Sequence, residues 1–149
     1  MMKRRFTLSR LFFLKEGECM QKIILFDGVC NFCNWNVQFI IKRDPKKYFA
    51  FASLQSNFGQ QVMSNYDIPV DEDSIILIEQ NQFYSKSTAV LKICKHLTFP
   101  WKILYIFVFI PKPIRDYVYQ IVSQNRYRWF GKRGQCSLPT SKIRKRFFF

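Results

Sequence analysis

Cys30 and Cys33 stand one helical turn apart, with Asn31 and Phe32 between them and Asp27-Gly28-Val29 just before. Two thiols at this spacing either cycle between dithiol and disulfide or supply two of the four ligands of a zinc ion. The neighbouring segments decide which chemistry they suit. Lys22 to Phe26 (KIILF) is a short, continuous apolar run that predicts a buried strand. From Cys30 to Lys42 the apolar residues fall at 32, 33, 37, 40 and 41, a helical spacing, and Asp44-Pro45 ends the run. The pair therefore opens a helix that leaves a strand. Unpaired backbone N–H groups and the positive end of the helix dipole gather at that point. Cys30 is expected there as the attacking thiolate, with Cys33 more buried and resolving the mixed disulfide. Asp27, at the strand end, is placed to accept or relay the Cys33 proton. Gly28 is expected to permit the tight strand-to-helix turn.

Other readings of the same residues remain open. A structural zinc site would draw further ligands from Cys94, His96, Cys136 and Cys19, but no second C-x-x-C is present. Asp27-Gly28 after an apolar strand also suits phosphatases with an Asp nucleophile. Those need a second Asp two positions on, where Val29 stands. Cys94 falls on the apolar face of a predicted helix and reads as core. His96, the sole histidine, reads as a helix-end residue, and Cys136 is a candidate third thiol in a basic segment. Five cysteines with one close pair do not form a secreted disulfide framework and suit a reducing compartment such as the cytoplasm.

The elements that must carry the pair follow in order. Tyr48 to Ser53 predicts a second strand and Gln55 to Tyr66 a helix. Ser74 to Glu79 predicts a third strand, Gln80-Asn81 a hairpin turn, and Gln82 to Tyr84 a short fourth strand. Ser85 or Ser87 caps a helix running to about His96. The order β-α-β-α-β-β-α is the thioredoxin-like α/β arrangement, with a core over about 21–98 and a helical extension over about 99–149. In the extension, Ile103 to Ile110 is too short to span a bilayer. It predicts a buried helix or strand, or a segment lying against another surface. Pro113 opens an amphipathic helix over Ile114 to Gln124. From Arg126 the chain reads as a basic, loop-like tail.

The net charge is +14, and residues 126–149 supply eight Lys or Arg and no acid. Such a tail suits a solvated end, a nucleic acid or an anionic membrane surface. The string Arg126-Tyr127-Arg128-Trp129-Phe130 joins charge to aromatic rings, as single-strand binders do. Alternatively it covers the sheet and places Arg126 or Arg128 near the thiolate. No recognised nucleic-acid motif accompanies it, so no stable nucleic-acid partner is expected. No cofactor or metal is required by the leading reading. Its partner would be a disulfide-containing protein or a small thiol.

Three blocks resemble the DCC family of thiol-disulfide oxidoreductases: FDGVCNFCNWNVQFIIKRD from Phe26 to Asp44, FASLQS from Phe51 to Ser56, and NRYRWFGKRGQCSLPT from Asn125 to Thr140. The resemblance implies a thioredoxin-like fold and carries Asp27, Cys30 and Cys33 as its signature residues. It implies no particular substrate. Unlike thioredoxins, which place a cis-proline just before the third strand, this chain has Asp73-Ser74 there.

The resemblance begins at about Met20. Lys15 to Met20 can be encoded by a purine run a few nucleotides before an ATG, the form of a bacterial ribosome-binding site. Residues 1–19 are therefore expected to be translated leader, and Met20 the start. N-terminal sequencing of the native protein checks this: it should begin at Met20, and a start at Met1 overturns the expectation.

Overall fold

The computed structural model describes residues 22–69, 74–80, 82–132 and 146–148. Its centre is β1 (Lys22–Phe26), whose side chains alternate between two cores. A strand packed on both faces must be apolar throughout, which explains the continuous run. Helix α1 (Asn31–Arg43) leaves the end of β1 and leads to β2 (Phe49–Ser53), which pairs parallel to β1 in the register Ile24 to Phe51. After α2 (Asn57–Asn65), β3 (Ile76–Glu79) pairs antiparallel on the other side of β1, and β4 (Gln82–Ser85) pairs with β3. Helix α3 (Lys86–His96) follows. The sheet order is β4-β3-β1-β2-β5, where β5 is the short strand Phe147–Phe148, a thioredoxin-like α/β fold.

The two faces of the sheet are covered differently. Ile24, Phe26, Phe49, Phe51 and Leu77 pack against Val37 and Ile40 of α1 and Ala89 and Ile93 of α3. On the opposite face Ile23, Leu25, Ile76 and Ile78 pack against Val62 and Met63 of α2. The pair-bearing helix is thus fixed by one core and the return helix by the other.

Three expectations for the C-terminal part are corrected. The segment expected as a buried helix or strand, or as one lying against another surface, is a 3₁₀ helix, Trp101–Phe109, and it is not buried: no residue in it is fully covered and Phe109 is 85% exposed. Its amino end is held by the edge-on contact of Trp101 with Phe39 of α1, at 4.7 Å between ring centres. The amphipathic helix does not stop at Gln124. It runs through the supposed tail as α4 (Lys112–Phe130), ending at Gly131, whose φ of 79° suits glycine. Finally, Phe147–Phe148 forms β5, parallel to β2. The buried Arg146 just before it donates from Nη2 to Asp44 Oδ2 at 2.5 Å and from Nε to the Phe49 carbonyl at 2.9 Å. Asp44 therefore ends α1 and also anchors the final strand. No described helix is long and apolar enough to cross a membrane.

Gly59 in α2 shows how closely the second face is packed. A Cβ there would lie 2.1 Å from the Ser53 carbonyl oxygen. In an exposed helix Gly→Ala stabilises by up to ~1 kcal/mol; here the clash is with backbone. Gly59→Ala is expected to destabilise by about 1–3 kcal/mol in urea unfolding, and a gain in stability would refute the close approach.

Candidate functional site

Cys30 is the N-cap of α1, with extended backbone (φ −85°, ψ 120°). Its Sγ accepts from the Cys33 backbone N–H at 3.4 Å, filling one of the unsatisfied donors of the first turn. Asn34 braces the turn from within, its Nδ2 donating to the carbonyls of Gly28 at 2.8 Å and Cys30 at 3.0 Å. Both Cys30 and Cys33 are free thiols. The expected order of burial is reversed: Cys30 is 0% exposed and Cys33 is partly exposed. The end of α4 packs against this turn: Gly131 accepts from the Asn31 N–H at 3.4 Å, and Lys132 forms a bridge with Cys30, so this segment lies along the Cys30 backbone.

The two residues between the cysteines hold that segment in place. Asn31 Nδ2 donates to the Phe130 carbonyl at 2.9 Å, and the Phe32 ring stacks on Phe130 at 4.7 Å. Gly28 has no positive φ; its requirement is space, because a Cβ would meet Ser53 Oγ at 2.6 Å.

Asp27 is 3% exposed and accepts from four donors. Its Oδ1 takes the Val29 N–H at 3.1 Å and Gln55 Nε2 at 2.8 Å. Its Oδ2 takes Arg126 Nη2 at 3.2 Å and the Tyr127 hydroxyl. Gln55 is oriented in turn by the Gly28 N–H at 3.0 Å. The same guanidinium extends Nη1 to within 3.7 Å of Cys33 Sγ. Arg126 is itself 3% exposed and, among the described residues, is one of two tail cations that the fold turns inward, Arg146 being the other. Asp27 thus reaches Cys33 through Arg126.

These contacts set the protons. The Cys33 thiol is pushed up to about 12 from the ordinary 9.0 by burial first, then by its hydrogen bond to Cys30 and the negative charge there, with Arg126 pulling the other way. Tyr127 is pushed up to about 12 by burial and by donating to Asp27. Burial opposes the charge of Arg126, but Cys33, Tyr127, Asp27 and Cys30 outweigh it and raise its pKa.

The other candidates lie apart. Cys94 is buried on α3, its pKa raised by burial. His96 closes the same helix, with Nε2 2.6 Å from Lys22 Nζ and Nδ1 3.0 Å from the Lys92 carbonyl. Cys136 and Cys19 lie outside the described residues. Among the described residues no three His, Cys, Asp or Glu side chains converge as a metal site. Sequence reasoning placed Arg126 near the pair as one of two readings. It missed Tyr127 and Gln55, which carry no spacing signal of their own.

A thioredoxin-like sheet with a C-x-x-C at the first helix defines a protein built around a cysteine pair. Comparison with known proteins places it further: residues 24–132 match the DCC1-like thiol-disulfide oxidoreductase family, and the chain belongs to it. It is 50% identical over 127 residues to the uncharacterized protein YuxK of Bacillus subtilis, covering 85% of this chain and 93% of that one. It is 40% identical over 123 residues to a chloroplastic DCC family protein of Arabidopsis thaliana, covering 81% of this chain and 72% of that one. No solved structure matches the chain.

Two of the causes that raise the Cys33 thiol depend on Cys30. In Cys30→Ala the hydrogen bond and the negative charge are gone while burial remains. The pH midpoint of Cys33 alkylation by iodoacetamide should therefore fall below that of the native protein yet stay above 9.0. An unchanged profile would rule out the coupling.

Proposed function

We propose that the protein exchanges thiols and disulfides through Cys30 and Cys33, with Asp27 holding the charge network that serves them. The observation that carries this reading is the Arg126 guanidinium, fixed by Asp27 and set against Cys33 Sγ. In the reductive direction Cys30, as thiolate, attacks one sulfur of a substrate disulfide. The substrate S–S bond breaks, and one substrate thiolate leaves and takes up a proton. Cys33 then loses its proton, for which the Asp27 network is the acceptor or relay, and Arg126 stabilises the thiolate as it forms. Cys33 attacks the mixed disulfide at Cys30 and releases the second substrate thiolate. The substrate has gained two electrons and the protein holds a Cys30–Cys33 disulfide, which an external dithiol returns to the reduced form. Because Cys30 is fully buried, the first attack requires its sulfur to be uncovered.

Asn31 and Phe32 bring no charge or imidazole to the pair, which favours a reductase-like or isomerase-like potential. Partners of this chemistry are a disulfide-bearing protein or a small thiol, in a reducing compartment such as the cytoplasm. The rival reading of a basic module for nucleic acid loses support from Arg126, which is buried against Asp27, and from Tyr127, whose hydroxyl donates to Asp27.

With a dithiol present, the protein should reduce a small hydrophilic disulfide such as hydroxyethyl disulfide, and Cys30→Ser should bring turnover to background. Turnover that persists in Cys30→Ser overturns the assignment. Salt-dependent retention on immobilised DNA that survives the substitution, with no turnover in the native protein, favours the binding module.

A further inference from the structure

The chain after α3 leaves an apolar surface uncovered. A 3₁₀ helix has three residues per turn, so side chains three apart stand in one row. Ile103, Ile106 and Phe109 form such a row, and all three are exposed. In α4 the spacing becomes that of an α-helix, and Ile114, Tyr117, Val118 and Ile121 share one face. They are exposed as well. The inward side of α4 is another one: Tyr119 accepts from the Ile75 N–H at 3.0 Å, and Arg126 reaches Asp27. The two rows form one patch. Phe107 and Ile110 join Ile114 and Val118 in lining a cavity of about 490 Å³ that reaches back to Cys33, and all four are also exposed. A contiguous apolar patch of this kind marks a surface that meets a partner or a membrane.

Charge and polarity around the patch say which. From residue 80 to residue 149 the only acid is Asp116, against fourteen Lys and Arg, and Asp116 is taken up by the Ser87 hydroxyl. Cations stand around the patch. The Arg43 guanidinium lies 5.1 Å from the Trp101 ring and Lys95 Nζ 5.2 Å from the Tyr105 ring. Lys102 and Lys112 are exposed at the two ends of the 3₁₀ segment. A second copy of this chain would bring the same cations to the same face, and like charges would meet. The patch also lacks what protein interfaces use. Residues 99–114 contain no Asp, Glu, Asn, Gln, Ser, Thr or His, whereas a protein interface carries about one hydrogen bond per 100–200 Å². Apolar rows flanked by lysines, with Trp and Tyr beside them, suit the headgroup boundary of a bilayer, where anionic lipid supplies the opposite charge.

We propose that residues 99–121 dock on the surface of an anionic phospholipid bilayer. Ile106, Phe109 and Tyr117 enter the acyl boundary, and Lys102 and Lys112 meet the lipid phosphates. The apolar rows are too short to cross the bilayer, so the protein rests on one leaflet. The cavity that leads to Cys33 then opens towards the lipid. The proposal concerns where the protein sits and holds whether or not the pair turns over a disulfide.

Flotation of the full chain with vesicles tests it, with phosphatidylglycerol mixed into phosphatidylcholine compared against phosphatidylcholine alone. Binding to the anionic vesicles is expected to be at least tenfold tighter. A cationic protein can adsorb to such vesicles by charge alone, so two variants separate the contributions. Ile106→Ser combined with Phe109→Ser should weaken binding to the anionic vesicles at least tenfold, with an unchanged thermal melt reporting that the variant is folded. Lys102→Gln combined with Lys112→Gln should lower the preference for anionic lipid at least fivefold. If the serine variant does not fold, Phe109→Trp decides: its added fluorescence should shift to the blue on anionic vesicles and be quenched by lipids brominated on the acyl chains. Binding that the serine substitutions leave unchanged, or added fluorescence that brominated chains do not quench, overturns the proposal. Equal binding to both kinds of vesicle, or binding to neither, also overturns it. Self-association of the native protein in sedimentation, lost on the serine substitutions and without vesicle binding, assigns the face to a second copy instead.

Discussion

The ion pair between Asp27 and Arg126 joins the two halves of the molecule. It is buried at both ends, so neither charge can be solvated if the other is lost. Removing one partner of such a pair typically costs about 3–5 kcal/mol, because the survivor is stranded. Asp27 belongs to the end of the central strand and Arg126 to the last turns of the long helix. Their contact ties that helix to the end of the central strand. The rest of the site follows from it: Tyr127 reaches the same carboxylate, Phe130 reaches Phe32, and the segment after the helix comes to lie along the Cys30 backbone. The cavity beside Cys33 is walled on one side by the same helix.

A second pair repeats the device at the opposite end of α1. Asp44 is buried where that helix ends, accepts from the Tyr48 and Phe49 N–H groups at 3.1 and 3.2 Å, and receives Arg146. Both acids come from the first third of the chain and both arginines from its last quarter. Each arginine brings a C-terminal element onto the helix that bears the cysteines, α4 at its start and β5 at its end. The helix is thus held at both ends by the extension, not only by its own core contacts.

These ties explain which parts of the structure were legible in the sequence. KIILF, the helical spacing after Cys30 and the strand FAFAS announce themselves through local pattern, and the cysteine pair falls where that pattern places it. The extension does not announce itself. Counting Lys and Arg along the chain gives a basic tail, yet Arg126 and Arg146 are buried partners of distant acids, which no charge count can distinguish from solvated cations. Strand β5 has only two residues, below any usable period, and depends on Arg146 for its position. The 3₁₀ helix is misread for the opposite reason. Its composition is that of a core segment, and apolar composition alone does not say that anything covers it. The pairing of the Cys30 turn with Gly131 and Lys132 was invisible because its two sides lie a hundred positions apart.

The stacking of Phe32 on Phe130, and the bond from Asn31 to the Phe130 carbonyl, carry a consequence for how this protein can change over time. In most cysteine-pair proteins the two intervening residues are the natural place to adjust electron affinity, because they can vary without disturbing the scaffold. Here both are also fastenings for the long C-terminal helix. A substitution that tuned the pair would loosen the clasp, and one that tightened the clasp would retune the pair. Selection on redox behaviour and selection on structural integrity therefore act on the same two side chains. Drift at positions 31 and 32 should be paired with compensating drift at 130, and the spacer is a poor handle for engineering one property alone.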